Sequence, residues 1–475
     1  MGIGRAQSSR AFEEPDQLRA DAIGLPGALM LGVVIMAPSF VIYFNWGFMI
    51  PYVGRATAII FVIALVMSLP TCYSYTLLNR GIPTAGATYR WASRLITPQV
   101  GIAAGVCTTL YYAFILAAEL AFLPVVGRDL VGTTSTTVFA LIMWGSLLAI
   151  IPLVYRGINV SLGTSIVLVA VELAIVVAVA VGAFLASTDR HVSLAPLDPA
   201  LLRSTRTVIP ALVLGVVSYT GYDAISTLGG ETRSAAVHLP RATLLALLLV
   251  GAFWTVTATI LSDALPPAAY AGVIRHGSFP LAAAAQTAFG SGGRTLIDVM
   301  ALQAGFALLL GSSIGATRIT YTMGRDGVIS RRFGRVHPAF RVPWFALSAA
   351  LVFAVVVDIA LSVYLGLGPG IALWLVNLIG FFALITYLVI NICNPLLFLR
   401  HSRNEFHWFS NGLVPLCGVA VVGYFLYKSF FETLWRSDFK TGKSVVVTAL
   451  GLLALSAIVG WRLGRERASR TAAEV

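Results

Sequence analysis

Apolar residues in this chain come in long runs, without the alternation that marks strands. Twelve stretches, about 24–48, 56–79, 100–126, 136–155, 159–186, 207–229, 241–262, 295–323, 344–366, 370–395, 411–431 and 444–463, are apolar on every helical face and carry few charges. A run of about 18 or more such residues reads as a transmembrane helix. Strands of a membrane barrel would instead be short segments of alternating polarity. The pattern predicts an all-α membrane protein with 12 transmembrane helices.

Composition agrees. Of 475 residues, 58% are hydrophobic and only 11% charged, against roughly 25% charged in soluble domains. This excludes a soluble enzyme, a disordered chain and a secreted disulfide scaffold. The net charge of +12 is spread over the loops and not gathered on one face, so no nucleic-acid partner is expected; the partner is the lipid bilayer. With the N-terminus in the cytoplasm, 21 of the 32 Lys and Arg fall on inner segments and 11 on outer ones. The positive-inside rule then predicts a multi-pass protein of the plasma membrane with both termini cytoplasmic. The strongest anchor is loop 8–9, with Arg318, Arg325, Arg331, Arg332, Arg335 and Arg341. Cys72, Cys107, Cys393 and Cys417 form no CxxC pair and are read as packing residues.

Two spans are expected to be broken. Span 1 holds ALMLGVVIMAPS (28–39) and span 6 holds ALVLGVVSYTGY (211–222), and both apolar halves run into helix breakers. Pro38 has no N–H and disfavours helix at Ala37; Gly221 lowers helix propensity in span 6. Broken backbone at membrane depth is tolerated where it lines a cavity or is buried in protein. Interruptions at matching places in two inverted repeats mark secondary transporters. Half-helix N-termini would attract a carboxylate and free carbonyls would accept from an ammonium. The expected substrate contacts are Ile35, Met36, Ala37, Pro38 and Ser39 in span 1, with Ser218, Tyr219, Thr220, Gly221 and Tyr222 in span 6. Tyr43, Phe44 and Trp46 past the first break, and Tyr219 and Tyr222 at the second, are candidate aromatic lids, Tyr219 being the best placed.

Three further stretches carry a family resemblance. IPTAGATYRWASR (82–94) resembles a P-x-x-G-G-x-Y segment, with Ala87 at the second Gly. GYDAISTLGGETRSAAVHLPRA (221–242) is similar to G-[FY]-[DE], E-E-T-K-N-P and P-R-A in sequence, with Gly230 at the first Glu. RITYTMGRDGVISRRFGRVHP (318–338) resembles R-x-x-Y-x-M-x-R-D-G-x-[LI]-P, with Ser330 at the Pro. In this order the chain resembles permeases of the amino acid–polyamine–organocation (APC) superfamily, such as the bacterial amino acid permeases. The resemblance implies a LeuT-type five-plus-five inverted repeat: a tail over 1–22, repeats over 23–190 (spans 1–5) and 205–395 (spans 6–10), spans 11 and 12 over 396–465, and a tail over 466–475. It implies transport of an amino acid or small amine by alternating access. Where many members are Gly-rich at the first break, this chain reads MAPSF (36–40).

Ionisable residues inside spans are functional candidates by default. Glu172 in span 5 is expected to take up and release a coupled proton, because burial disfavours a charged carboxylate. Several proton-coupled relatives hold a Lys at the matching position, so the charge here is inverted. Asp223 is expected to cap the second half of span 6 or to join the proton linkage. Glu119 in span 3 is a candidate for cation selectivity. Glu231, Arg241, Arg325 and Asp326 are expected to form ion pairs closing the inner side. Asp298 and Asp358 are placed near the outer interface without a role. Ser312 and Ser313 are candidates for a sodium site, with bonding to their own helix carbonyls as the alternative. No other metal and no cofactor is expected. The expectation is therefore a proton symporter, with an ion-independent exchanger as the alternative and a sodium symporter behind it. The absence of HExxH and Gly-x-Ser-x-Gly speaks against an embedded enzyme. The outer loops 187–206 and 263–294 are expected to hold short helices without assigned function.

Overall fold

The computed structural model describes residues 18–187, 193–202, 204–265, 270–272, 279–401 and 403–473. Among these the chain is helical, with one isolated parallel bridge between Ile23 and Thr232. Twelve helices are long and apolar enough to cross a membrane: Leu25–Tyr43, Thr57–Gly81, Pro98–Arg128, Thr136–Tyr155, Ile158–Ala186, Thr207–Leu228, Ala235–Ala264, Gly292–Arg325, Trp344–Leu365, Pro369–His401, Trp408–Leu434 and Phe439–Glu466. We call these spans 1–12. Each overlaps its expected stretch.

Burial separates scaffold from periphery. In an apolar 18-residue stretch of each, 89% of the residues of span 3 and 78% of those of span 8 are buried, against 17% in span 4. Leu141, Leu148, Val167 and Val363 are large apolar side chains exposed on spans 4, 5 and 9. In lipid such residues need no partner, so helix association rests on packing and polar contacts in the interior. Small residues allow close approach there: a Cβ at Gly315 of span 8 would meet the Tyr112 ring of span 3 at 2.8 Å. Cys72, Cys107 and Cys393 are buried, as a packing role requires, but Cys417 is exposed on span 11.

The ends differ from expectation in two places. Span 1 stops at Tyr43, and Asn45–Val53 forms a separate helix. The last helix, Ser444–Ala473, runs on through most of the expected tail 466–475. The expected tail 1–22 lies mostly outside the described residues. So do 188–192 and 203 of the loop between spans 5 and 6, and 266–269 and 273–278 of the loop between spans 7 and 8; the described parts hold short 3-10 turns at Ala195–Leu197 and Pro199–Leu201 and a helix at Pro280–Phe289.

Ala87, at the position where the family segment has glycine, begins the helix Ala87–Leu95 with φ +38°. A left-handed residue with a Cβ carries about 1–2 kcal/mol of strain. Ala87→Gly should relieve it and raise the thermal midpoint in detergent, by an amount reduced by the larger unfolded-state entropy of glycine. An unchanged or lower midpoint would show that the strain is absorbed elsewhere.

Candidate functional site

Both expected breaks are present and they touch. Helix Leu25–Met36 ends at Ala37, whose φ of +47° and ψ of +64° are left-handed, and Pro38–Tyr43 begins on the other side. The Ala37 N–H donates back to the Val33 and Val34 carbonyls at 3.2 and 3.1 Å. The Ile35 and Met36 carbonyls thus follow the last bonded turn, while the Ser39 and Phe40 N–H groups precede the next. In span 6 the α-helix ends at Ser218, Gly221 takes φ +118°, and a 3-10 segment runs from Tyr222 to Leu228. A Cβ at Gly221 would lie 2.8 Å from the Ile35 carbonyl carbon and 2.9 Å from the Met36 nitrogen. Glycine lets the two main chains meet there.

A buried carboxylate stands at each break. Asp223, the second residue of the 3-10 segment, reaches back to the break: its Oδ1 accepts from the Gly221 N–H at 3.0 Å and from the Tyr387 hydroxyl at 2.7 Å. Its Oδ2 accepts from the Tyr112 hydroxyl of span 3. The Tyr222 ring stacks on Tyr387 at 5.6 Å and meets Tyr75 edge-on, so Asp223 lies among tyrosines from spans 2, 3, 6 and 10. Glu172, 1% exposed on span 5, accepts a hydrogen bond from the Ser39 hydroxyl on the first turn after the span 1 break. The sequence showed nothing polar beside Glu172; its partner lies 133 residues away.

On the side reached by the second half of span 1, aromatic rings cover the breaks. Phe44 packs against Phe40, Phe122 and Phe279 at 4.6–5.1 Å, and Tyr43 stacks on Phe279 at 4.6 Å. Trp46 is not part of this cover; it is fully buried and donates to Thr57 at 2.8 Å. Tyr219 is also turned away. Its ring lies edge-on to Trp254 at 4.8 Å and its hydroxyl donates to the Phe61 carbonyl at 3.0 Å. Trp254 itself donates to the Pro38 carbonyl at 2.9 Å.

On the opposite side the three motif stretches converge. Arg318 donates in bidentate fashion to Glu231, Nε to Oε2 at 3.0 Å and Nη2 to Oε1 at 3.2 Å. Asp326 accepts from Tyr89 at 2.8 Å and from Arg90 at 2.5 Å. Leu18 packs on Tyr321 and Val336, and Ile23 bonds to the backbone of Glu231 and Arg233. The partners differ from those expected. Arg241 is exposed, Arg325 donates to the Tyr321 hydroxyl at 3.2 Å, and Arg318, counted with the loop anchors, is 3% exposed within the bundle.

The remaining candidates fall as follows. The Ser218 hydroxyl donates to the Leu214 carbonyl and accepts from Asn45 at 2.6 Å, and Thr220 bonds the Val217 carbonyl. Ser312 and Ser313 lie beside the span 1 break, since a Cβ at Gly311 would meet Val34 at 2.6 Å. Their hydroxyls donate to the Leu308 and Leu310 carbonyls of their own helix. Glu119 is buried against span 8, 3.0 Å from where a Gly305 Cβ would sit, and its Oε2 has no hydrogen-bond partner among the described residues. Asp298 lies 3.9 Å from Arg294 at the start of span 8. Asp358 is 1% exposed, packed inside the bundle. Sequence reasoning missed Tyr75, Tyr112 and Tyr387 around Asp223, and Phe122 and Phe279 in the aromatic cover. Tyr89 and Arg318 were legible as fixed letters of the quoted motifs.

A helical bundle of twelve apolar spans, with the first and sixth broken where their main chains meet, has the architecture of a membrane permease. The chain belongs to the amino acid permease family, whose model matches residues 28–475, and its architecture is the LeuT-type fold. It is similar to the low-affinity putrescine importer PlaP of Escherichia coli (strain K12), with 27% identity over 448 residues covering 90% of this chain and 92% of the importer. It is also similar to the branched-chain amino acid permease BcaP of Bacillus subtilis (strain 168), with 25% identity over 310 residues covering 62% of this chain and 65% of that permease. BcaP of Lactococcus lactis subsp. cremoris (strain MG1363) is 24% identical over 71% of this chain and 75% of its own length.

Proposed function

We propose that this permease imports a small organic amine, or a cationic amino acid, together with a proton. The observation that carries the amine preference is the charge balance of the interior. Among the described residues six carboxyls are buried, Glu119, Glu172, Asp223, Glu231, Asp298 and Asp358, against one buried cation, Arg318. Arg318 is taken by Glu231. The acidic groups nearest the breaks therefore face no buried cation of the protein. An uncompensated buried charge is costly, so a buried carboxyl without a cation holds a proton instead, and an ammonium entering the crossing of spans 1 and 6 would supply the missing cation. The likeness to a putrescine importer points the same way.

In this reading the ammonium docks on the Ile35 and Met36 carbonyls and the carbonyls before Gly221. Asp223 keeps the span 6 break open by holding the Gly221 N–H. Residues 23–190 and 205–395 form the two repeats, the termini face the cytoplasm, the aromatic cover is the outer gate and the Glu231–Arg318 and Asp326 pairs are the inner one. Transport follows if the occluded state binds substrate more tightly than either open state. Glu172 supplies the coupling.

The test is a competition panel in proteoliposomes with radiolabelled putrescine. Diamines and cationic amino acids are expected to compete at least tenfold more strongly than leucine. Equal competition by leucine would remove the cation preference, and transport of no amine or amino acid would remove the whole reading. Counterflow that ignores a pH gradient would select the exchanger, and a strict sodium requirement would select a site at Ser312 and Ser313.

A further inference from the structure

A cavity of about 610 Å³ opens on the same side as the motif pairs, yet away from the breaks, where the ends of spans 2 and 10 meet the start of span 11. Arg80 from the end of span 2, Arg94 from the helix after it, His401 at the end of span 10 and His407 just before span 11 all line it. The acidic residue on its wall is Glu405. Neither Arg80 nor Arg94 is engaged in an ion pair among the described residues. The floor is polar and fixed: Asn411, 2% exposed, accepts from the His407 N–H at 3.0 Å and from the Ser410 hydroxyl at 3.1 Å. Leu77, Leu397 and Phe398 supply its apolar walls. Next to His407 in the chain, Trp408 and Phe409, 71% and 68% exposed, stand on the first turn of span 11. Exposed aromatics at a span end mark the level of the lipid headgroups.

Basic residues at a cytoplasmic surface ordinarily report only orientation. What distinguishes this cleft is that two guanidiniums and two imidazoles line one cavity between spans, with Leu77, Leu397 and Phe398 on its wall and exposed aromatics of span 11 next in the chain. Arg forks match phosphoryl oxygens in bidentate fashion. Basic pockets between spans on the cytoplasmic side suit anionic headgroups. We propose that this cavity binds a phosphoryl anion, presented either by an anionic phospholipid or as free inorganic phosphate, through Arg80 and Arg94 with His401 and His407 beside them. The site is separate from the substrate path and does not depend on what the protein transports.

The test uses the full chain, purified and placed in nanodiscs of phosphatidylcholine with increasing phosphatidylglycerol, with lipid retention read by native mass spectrometry. Wild type is expected to retain phosphatidylglycerol over phosphatidylcholine. The R80Q/R94Q variant should weaken that preference by about 10–30-fold, the order expected for two basic residues at an anionic surface. Both residues are exposed, so the variant should fold; an unchanged thermal midpoint in phosphatidylcholine alone checks this. Selective retention lost in the variant establishes the lipid as the source. Protection by inorganic phosphate alone, lost in the same variant, establishes the soluble anion. Equal retention of both lipids without phosphate protection, or equal preference in variant and wild type, overturns the proposal.

Discussion

Glu172→Gln is expected to leave substrate exchange close to wild type and to abolish accumulation driven by a pH gradient. Glutamine has nearly the shape of glutamate and keeps an oxygen that can accept from the Ser39 hydroxyl, so the span 1 break should hold its geometry. What it cannot do is bind and release a proton. An ionised Glu172 can only accept from Ser39; once protonated it also carries a donor, which opens a second arrangement with the first turn after the break. That is how a proton on span 5 would be felt at the substrate carbonyls of span 1. The magnitude follows from the gradient: one pH unit is about 1.4 kcal/mol per proton, which supports at most about tenfold accumulation. With the membrane potential clamped at zero, wild type should approach that ratio and the variant should stay near one. Undiminished proton-driven accumulation by the variant would end the assignment. Loss of exchange as well would mean that Glu172 builds the site instead of coupling it.

What the sequence made legible was the part written locally. Span positions follow from run length, because lipid demands about 20 apolar residues whatever the fold. The breaks were legible because Pro38 and Gly221 act on their own backbone. The echo of 28–39 in 211–222 places Pro38 opposite Gly221, and the left-handed residues fall at Ala37 and Gly221. Partners were not legible, because pairing depends on which helices touch. Glu231 and Arg241 were expected in one inner network with Arg325 and Asp326, but Glu231 meets Arg318 on span 8, which shares its depth in the bundle. Asp326 was expected in the same network but meets Tyr89 and Arg90 from the helix after span 2. The tyrosines around Asp223 were hidden for the same reason: nothing in an apolar run distinguishes a tyrosine that packs from one that donates into a distant break.

Gly221→Ala should reduce uptake at least a hundredfold while the protein still reaches the membrane. Two costs coincide at this position. A φ of +118° with ψ −26° is open to glycine and strained for alanine, at about 1–3 kcal/mol. The added Cβ would also sit 2.8–2.9 Å from the Ile35 and Met36 main chain, which cannot swing aside as a side-chain tip can. Relief requires either that span 6 rewind towards a regular helix or that spans 1 and 6 move apart. Rewinding withdraws the Gly221 N–H from Asp223 and returns the free carbonyls to the helical ladder; separation pulls the two sets of carbonyls off a shared substrate. A penalty of about 3 kcal/mol on the competent geometry corresponds to roughly a hundredfold in rate. Gly163→Ala is the matched control, since a Cβ there meets nothing within 4 Å and alanine is the better helix former; its uptake should equal wild type. Near-normal uptake by Gly221→Ala would mean that the crossing of the two broken spans is not where the substrate sits, whereas equal losses in both variants would trace the defect to general misfolding of the bundle.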